Sequence, residues 1–219
     1  MDIVLIGSGG QAKVVIDIVD REEKLNIVGL IDNRKAVGTE INGIPVIGND
    51  QDIESLSQQM KFTGGIICVY DNFLRRSIRI RLNNLMPNFE FVAAIHPNAW
   101  VSPSAQIGTG TVIMSGVTVN ANCDIGEHCI VNTNSSIDHD SSLADFSSIG
   151  PGVNLGGAVS IGQLSYVGIG SAISHNVVIG SNTVIGGFSF VNKNVGDNEV
   201  GYYSPYRKVR NRCLGEKYL

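Results

Sequence analysis

The ladder Ile95, Val101, Ile107, Ile113, Val119, Ile125, Val131, Ile137, Leu143, Ile149, Leu155, Ile161, Val167, Ile173, Ile179, Ile185, Val191 places an aliphatic residue at every sixth position without a break. Two positions before each rung after the first stands a small or β-branched residue, from Ala99 and Ala105 through Cys123, Cys129 and Ser135 to Thr183 and Ser189. Glycine often follows the rung, as at Gly108, Gly126, Gly150 and Gly162. A period of six fits neither the helical period nor strand alternation, so it is an internal repeat, the signature of a β-solenoid. Three hexads close one triangular coil, with the rung and its small predecessor facing inward and Gly or Asn at corners that need positive φ. With coils stacked at the spacing of neighbouring strands, the seventeen hexads predict a prism roughly 27 Å long.

Ahead of the ladder the pattern changes. Residues 2–6 (Asp-Ile-Val-Leu-Ile) predict a strand ending in Gly7-Ser8-Gly9-Gly10, then a helix from Gln11 to Val19 and a second strand from Ile27 to Ile31, closed by Asp32-Asn33. A glycine-rich turn at a helix N-terminus, with an acidic residue after the next strand, opens a βαβ unit that suits a nucleotide. The amides of Ser8, Gly9, Gly10 and Gln11 and the helix dipole attract phosphate. Asp32 and Asn33 stand where a ribose or base would lie. Asn42-Gly43 predicts a hairpin between Val37–Ile41 and Ile44–Ile47, followed by a helix at Ile53–Met60, a strand at Gly65–Tyr70 and a basic helix from Asn72 to Met86. Near the start of that helix, Arg76 or Arg75 is placed to reach a diphosphate, with a solvated helix face as the competing reading. Pro87 ends the helix, and Phe89–Ile95 predicts one strand leading into the prism.

Composition narrows the function. A net charge of -4 and a pI near 5.5 argue against a nucleic-acid surface. No apolar run is long enough to cross a bilayer and no basic region precedes the first hydrophobic run, which predicts a cytoplasmic protein. The four cysteines form no C-x-x-C pair; Cys123 and Cys129 occupy inward positions as small hydrophobes.

Side chains that break the small, neutral pattern of the prism mark the chemistry. His139 lies just past Ile137 at an outward position, flanked by Asp138 and Asp140. One coil is eighteen residues, so Gly157 stacks over His139 and His175 over Gly157. Glycine there leaves room for a ligand and an exposed N–H. Two histidines two coils apart are about 9.6 Å from each other and cannot share one zinc ion; a metal shared between subunits through His128 or His96 is the remaining metal alternative, and no metal is expected. Beyond Val191, Tyr202, Tyr203 and Tyr206 precede Arg207, Lys208, Arg210 and Arg212, a run that suits phosphates or a disordered tail.

The ladder, Gly7-Ser8-Gly9-Gly10 and Ile137-Asp138-His139-Asp140 together resemble the sialic acid O-acetyltransferase-like family of bacterial sugar acyltransferases, over nearly the whole chain. The members most similar in character are N-acetyltransferases of nucleotide-linked 4-amino-4,6-dideoxysugars. The resemblance implies a Rossmann-like α/β nucleotide-sugar domain over residues 1–92, a left-handed parallel β-helix over 93–196, an exception to the usual right-handed crossover, and a C-terminal tail over 197–219. It implies a cytoplasmic homotrimer with acetyl-CoA in the groove between neighbouring prisms, working in lipopolysaccharide or O-antigen biosynthesis. His139 matches the catalytic base and Asp140 the acidic residue after it. Asn132 and Gly157 match positions at the acetyl-CoA site, to which Ser148, His175, Lys208 and Arg210 are added as candidates. Ser8, Gly9, Gly10, Gln11, Asp32, Asn33 and Arg76 are the candidates for the nucleotide-sugar, expected to be UDP-linked. Relatives often carry a histidine where this chain has Gln11, and some a second one where it has Ser148. Tyr203-Ser204-Pro205-Tyr206 replaces their Gly-x-Pro-Ala segment.

These residues predict direct acetyl transfer to a sugar amine, with His139 as base, Asp140 or Asp138 holding its tautomer and the Gly157 N–H facing the oxyanion. An O-acetyltransferase is the near alternative, separated by comparing amine and hydroxyl acceptors. An NAD-dependent oxidoreductase predicts tight binding of nicotinamide dinucleotide at the glycine-rich turn, and a non-catalytic scaffold predicts no acetyl-CoA binding at all.

Overall fold

The computed structural model describes residues 1–22 and 24–217, so Tyr218 and Leu219, at the end of the expected tail, lie outside the described residues. The first unit is a six-stranded sheet. Strands β1 (Asp2–Ile6), β2 (Asn26–Ile31), β3 (Glu40–Ile41), β4 (Ile44–Gly48), β5 (Gly64–Ile67) and β6 (Glu90–Phe91) run in the order β3-β4-β2-β1-β5-β6. All pairings are parallel except the β3–β4 hairpin. Strand β1 is central and Ile3, Val4, Leu5 and Ile6 are fully buried, as expected of a parallel strand covered on both faces. Helix α1 (Gly10–Glu22) turns Ala12, Val15, Ile16 and Val19 inward, an i, i+3, i+4, i+7 stripe. Helix α2 (Ile53–Met60) follows β4, and helix α3 (Asn72–Leu85) follows β5. The Asp71 carboxylate caps α3 by accepting from the Leu74 N–H at 2.8 Å.

The second unit is the prism, a left-handed parallel β-helix with three parallel sheets as its faces. Each two-residue strand pairs with the strand eighteen residues on: Ala94–Ile95 with Val112–Ile113, Thr118–Val119 with Ser136–Ile137, Asp124–Ile125 with Ser142–Leu143. The rungs and their small predecessors, Cys123 and Cys129 included, form one continuous core. Corner residues in the left-handed region recur at the same spacing, as at Asn122, Asp140, Ala158 and Asn176, with φ of 58°, 59°, 56° and 59°.

Two expectations about elements need correcting. Phe89–Ile95 is not one strand: Glu90–Phe91 pairs with β5, whereas Ala94–Ile95 pairs with Val112–Ile113 in the prism. A segment handed from one sheet to another must break its ladder between them. The C-terminal segment is an antiparallel hairpin, Glu199–Tyr202 with Arg207–Asn211, that extends the eight-stranded face. Tyr206 packs against the last coils of the prism core, so a ring seals the end of the solenoid.

The first unit docks on the eight-stranded face. Ile3, Leu5 and the buried side of α1 share one core cluster with Ala94, Val112, Met114 and Ile130. Beside it lies Arg75, 1% exposed. Its Nε donates to the His128 carbonyl (2.7 Å), its Nη1 to the Val69 and Tyr70 carbonyls (both 2.9 Å), and its Nη2 to Asn72 Oδ1 (2.8 Å), Ser148 Oγ (3.1 Å) and the Phe146 carbonyl (3.2 Å). One rigid guanidinium fork thus ties α3 and the end of β5 to two successive coils.

Candidate active site

The C-terminal ends of β1, β2 and β5 open into a cleft of about 570 Å³. It gathers Ser8, Gly9, Gly10, Gln11, Asp32 and Asn33, as the glycine-rich turn predicts. Gly7 is the structurally constrained glycine: its φ is +100°, and a Cβ would lie 3.1 Å from the Cys68 carbonyl oxygen. A Cβ on Gly9 or Gly10 would meet nothing within 4 Å, so these two leave the backbone open to a ligand. Asp32 is more occupied than its sequence position suggests. Its Oδ2 accepts from the Ser8 N–H (2.9 Å) and, in a very short bond, from the Ser8 hydroxyl, while Oδ1 accepts from the amides of Arg34 (2.8 Å) and Lys35 (3.2 Å). Burial opposes its charge, but the Ser8 hydroxyl and the Arg34, Lys35 and Ser8 amides outweigh it and hold the carboxyl below its usual range. Asp32 therefore shapes the turn, with its lone pairs largely spent.

Arg76 is not among the residues lining this cleft. Leu74, Ile78 and Arg81 are, and at i, i+4 and i+7 they form one stripe of α3, with Arg76 on another side of the helix. Arg75 faces the prism instead, as described above. Ser148 is likewise not at an open groove: it is fully buried and donates to Asn72 Oδ1 at 2.6 Å inside the Arg75 cluster.

On the prism, His139 sits at the edge between the six-stranded and five-stranded faces, after Ser136–Ile137 and before Ser142–Leu143. Its Nδ1 is 2.7 Å from Asp140 Oδ2. Asp138 does a different job, accepting the backbone N–H of His139 at 2.8 Å through Oδ1. The left-handed corner at Asp140 turns its carboxylate back onto the preceding ring. One coil below, Asn122 donates to Asp140 (3.2 Å) and Asn120 to Asp138 (3.0 Å). The hydrogen bond to Asp140, then the charge of Asp138, raises the pKa of His139. In turn His139, then Asn122, lowers that of Asp140. With Asp140 accepting at Nδ1, the neutral ring keeps its free lone pair on Nε2.

Gly157 lies against this ring, and a Cβ there would come within 2.7 Å of Cε1 and 2.8 Å of Nε2. Its N–H, expected to face an oxyanion, donates to Nδ1 of His175 at 2.8 Å. Asn132 reaches across the domain junction, its Nδ2 donating to the Tyr70 hydroxyl at 3.3 Å. Lys208 pairs with Glu199 (3.0 Å) and Arg210 with Glu216 on the terminal hairpin, away from the His139 edge. The histidines proposed for a shared metal are buried: His96 is 6% exposed, and His128 is fully enclosed, stacked on Phe146 at 5.0 Å and edge-on to Phe91 at 4.7 Å. Among the described residues no group of three or more His, Cys, Asp or Glu is placed to hold a metal.

Asn120, Asn122, Asn72, Tyr70, Asp50 and Arg81 were absent from the sequence-based site. The two asparagines were within reach, because subtracting eighteen from Asp138 and Asp140 lands on them. Tyr70 and Asn72 meet prism residues only through packing between the units, and Asp50 meets Arg81 only through the folding of the first unit.

The family model for the PglD N-terminal domain matches residues 2–82, and no curated protein matches the sequence. Among solved structures, a histidine-to-asparagine variant of perosamine N-acetyltransferase from Caulobacter crescentus, in complex with CoA and GDP-perosamine, is 30% identical with a TM-score of 0.90, over 96% of this chain and 98% of that one. PerB from the same organism, also with CoA and GDP-perosamine, is 31% identical with a TM-score of 0.89 over the same shares, 96% and 98%. The acetyltransferase domain of PglB from Neisseria gonorrhoeae, in complex with acetyl coenzyme A, is 31% identical with a TM-score of 0.86, over 95% of this chain and 98% of that one. With its glycine-rich cleft, its hexad prism and His139 between two carboxylates, the chain belongs to the PglD-type, sialic acid O-acetyltransferase-like family of bacterial sugar acyltransferases.

Proposed function

We propose that this protein transfers acetyl from acetyl-CoA to the 4-amino group of a nucleotide-linked amino-dideoxysugar, with His139 as general base. The observation that carries the reading is Nδ1 of His139 held 2.7 Å from Asp140 Oδ2, with no hydrogen bond to Nε2 among the described residues. The amine attacks the thioester carbonyl and forms the C–N bond, and Nε2 of His139 takes the amine proton. The C–S bond breaks and the CoA sulfur leaves with that proton. Cys123 and Ser141, at the same corner as His139, are 1% exposed and bonded to backbone carbonyls, and burial raises the Cys123 thiol's pKa, which favours direct transfer over an acyl-enzyme.

A homotrimer fits the same geometry. The cleft unit occupies the eight-stranded face, while His139 stands at the edge between the other two faces. A sugar held in the cleft therefore meets the His139 of a neighbouring protomer, with acetyl-CoA between prisms. Trp100 and Phe190, 64% and 41% exposed on the six-stranded face, offer apolar surface for that contact. The carrier is proposed to be UDP; GDP is the second reading, favoured by the GDP-perosamine bound in the relatives. A cytoplasmic place in surface-glycan assembly belongs to this proposal.

The test measures CoA thiol release with UDP- and GDP-linked 4-amino-4,6-dideoxysugars and with hydroxyl acceptors. His139→Asn is expected to lower kcat by about 10²–10⁴-fold. Near-full turnover with both substrates saturating would remove His139 from the chemistry, and faster transfer to hydroxyl than to amine acceptors would reassign the enzyme as an O-acetyltransferase.

A further inference from the structure

We infer that Asp50 and Arg81 select the nucleobase at the end of the cleft, admitting bases with a ring N–H next to a carbonyl (guanine, uracil, thymine) and rejecting adenine and cytosine. The inference rests on the cleft being the nucleotide site. Asp50 follows β4 and lines the cleft, yet its side chain is only 5% exposed. A carboxylate so enclosed needs partners. Its Oδ2 has two: the Asn33 amide at 2.9 Å, and the Arg81 guanidinium in a close ion pair. The Asp50 N–H donates back to Asn33 Oδ1 at 3.0 Å, which locks the carboxylate in place. Oδ1 has no hydrogen bond among the described residues, and it is not among their enclosed unpartnered atoms. It is thus a fixed acceptor on the cleft wall.

Arg81 complements it as a donor. One Nη is paired with Asp50, while Nε is buried without a partner among the described residues, and 41% of the side chain is exposed. Leu74 and Ile78, on the same stripe of α3, give a flat base an apolar face beside this pair. A rigid acceptor next to a cationic donor matches the N–H and C=O of a lactam edge: N1–H and O6 of guanine, or N3–H and O4 of uracil and thymine. Adenine and cytosine present the inverse, a bare ring nitrogen next to an amino group. Acceptor would face acceptor and donor would face donor, leaving both protein groups unpaired.

Calorimetric titration of the full chain with inosine diphosphate and adenosine diphosphate isolates the edge, since the two purines differ there alone; GDP, UDP and CDP extend the series. Inosine diphosphate is expected to bind about 10- to 100-fold tighter than ADP, with GDP and UDP on the tight side and CDP on the weak side. In Asp50→Asn the preference should fall to within about threefold, and Arg81→Gln, with its folding checked by thermal midpoint, should narrow it as well. Equal binding of inosine diphosphate and ADP, or an unchanged preference in a folded Arg81→Gln protein, overturns the inference and leaves the nucleotide site standing. If none of the five diphosphates binds, the nucleotide site itself is wrong and the inference goes with it.

Discussion

The N–H of Gly157 donates to Nδ1 of His175 at 2.8 Å, so the glycine that supports the His139 ring is tied in turn to the next coil. Accepting at Nδ1 fixes the neutral tautomer of His175 with its proton on Nε2, ready to donate to a ligand in the groove. His175→Ala is expected to raise KM for acetyl-CoA roughly tenfold, the worth of one good hydrogen bond, with kcat nearly unchanged. Steady-state kinetics decide this, and a kcat loss as deep as that of His139→Asn would place His175 in the chemical step.

Gly157→Ala tests the packing of the base. The added methyl would sit 2.7 Å from Cε1 of His139, so the ring must swing away from its position over the glycine. Misplacing a catalytic group by about 1 Å costs on the order of 10²-fold. Activity is expected to fall by that much while the thermal midpoint holds, because His139 is on the surface and free to move. Retained activity would show that the ring works from another position.

On the proposed mechanism the acid limb of the pH–rate profile would report His139, which must be neutral to accept a proton. Its pKa is raised, chiefly by the bond to Asp140, so activity is lost as pH falls through a value above that of an ordinary histidine. Asp140→Asn removes the main cause. The acid limb is expected to move to lower pH even as kcat drops, whereas Asp138→Asn, which removes a more distant charge and a backbone contact, should move it less. An unshifted limb in Asp140→Asn would assign the titration to another group.

Arg75→Ala strips buried acceptors on both units at once. The carbonyls of His128, Val69, Tyr70 and Phe146 lose a charged donor, at a combined cost on the order of 4 kcal/mol or more. Calorimetry should show a lower midpoint and separate melting of the two units. Arg75→Lys should recover little, since a point charge cannot span the fork. A midpoint within about 2 °C of the parent would mean that the apolar junction alone joins the units.

His128 makes stability depend on pH. Enclosed between Phe91 and Phe146 and near Arg75, its pKa is pushed down to about 3, first by burial and then by the arginine charges. Between about pH 6.5 and 3 the unfolded chain binds a proton that the folded chain refuses. Stability must therefore fall as pH drops through that window, by several kcal/mol in total. His128→Phe, which repeats the residue at Phe146 one coil on, is expected to flatten the slope in urea titrations at pH 7 and pH 4. An equal slope in both proteins would shift the effect to other groups.

Much of this was visible in the chain itself. The hexads named the buried rungs, the corners and the stacking of His139, Gly157 and His175, because a solenoid converts eighteen residues into one strand spacing. The glycine-rich turn likewise brought Ser8 to Gln11 together with Asp32 and Asn33, since both flank adjacent parallel strands. Arg76 and Ser148 stand away from the cleft and from an open groove for a shared reason. Each was placed from its own segment, while the direction of a side chain on α3, or on the eight-stranded face, depends on what the other unit covers.

For this protein, sequence alone determined the two units, the prism with its inward ladder, and the histidine flanked by two carboxylates, because each follows from periodicity or from neighbours close along the chain. Tertiary structure alone decided that Asp140 rather than Asp138 holds the His139 ring, that Gly157 gives its N–H to His175, that Arg75 joins the units and Arg81 faces the cleft, and that the cleft and His139 lie on different sides of the prism. Those outcomes depend on backbone dihedrals at the corners and on which surfaces pack together, and neither has a period that can be read along the chain.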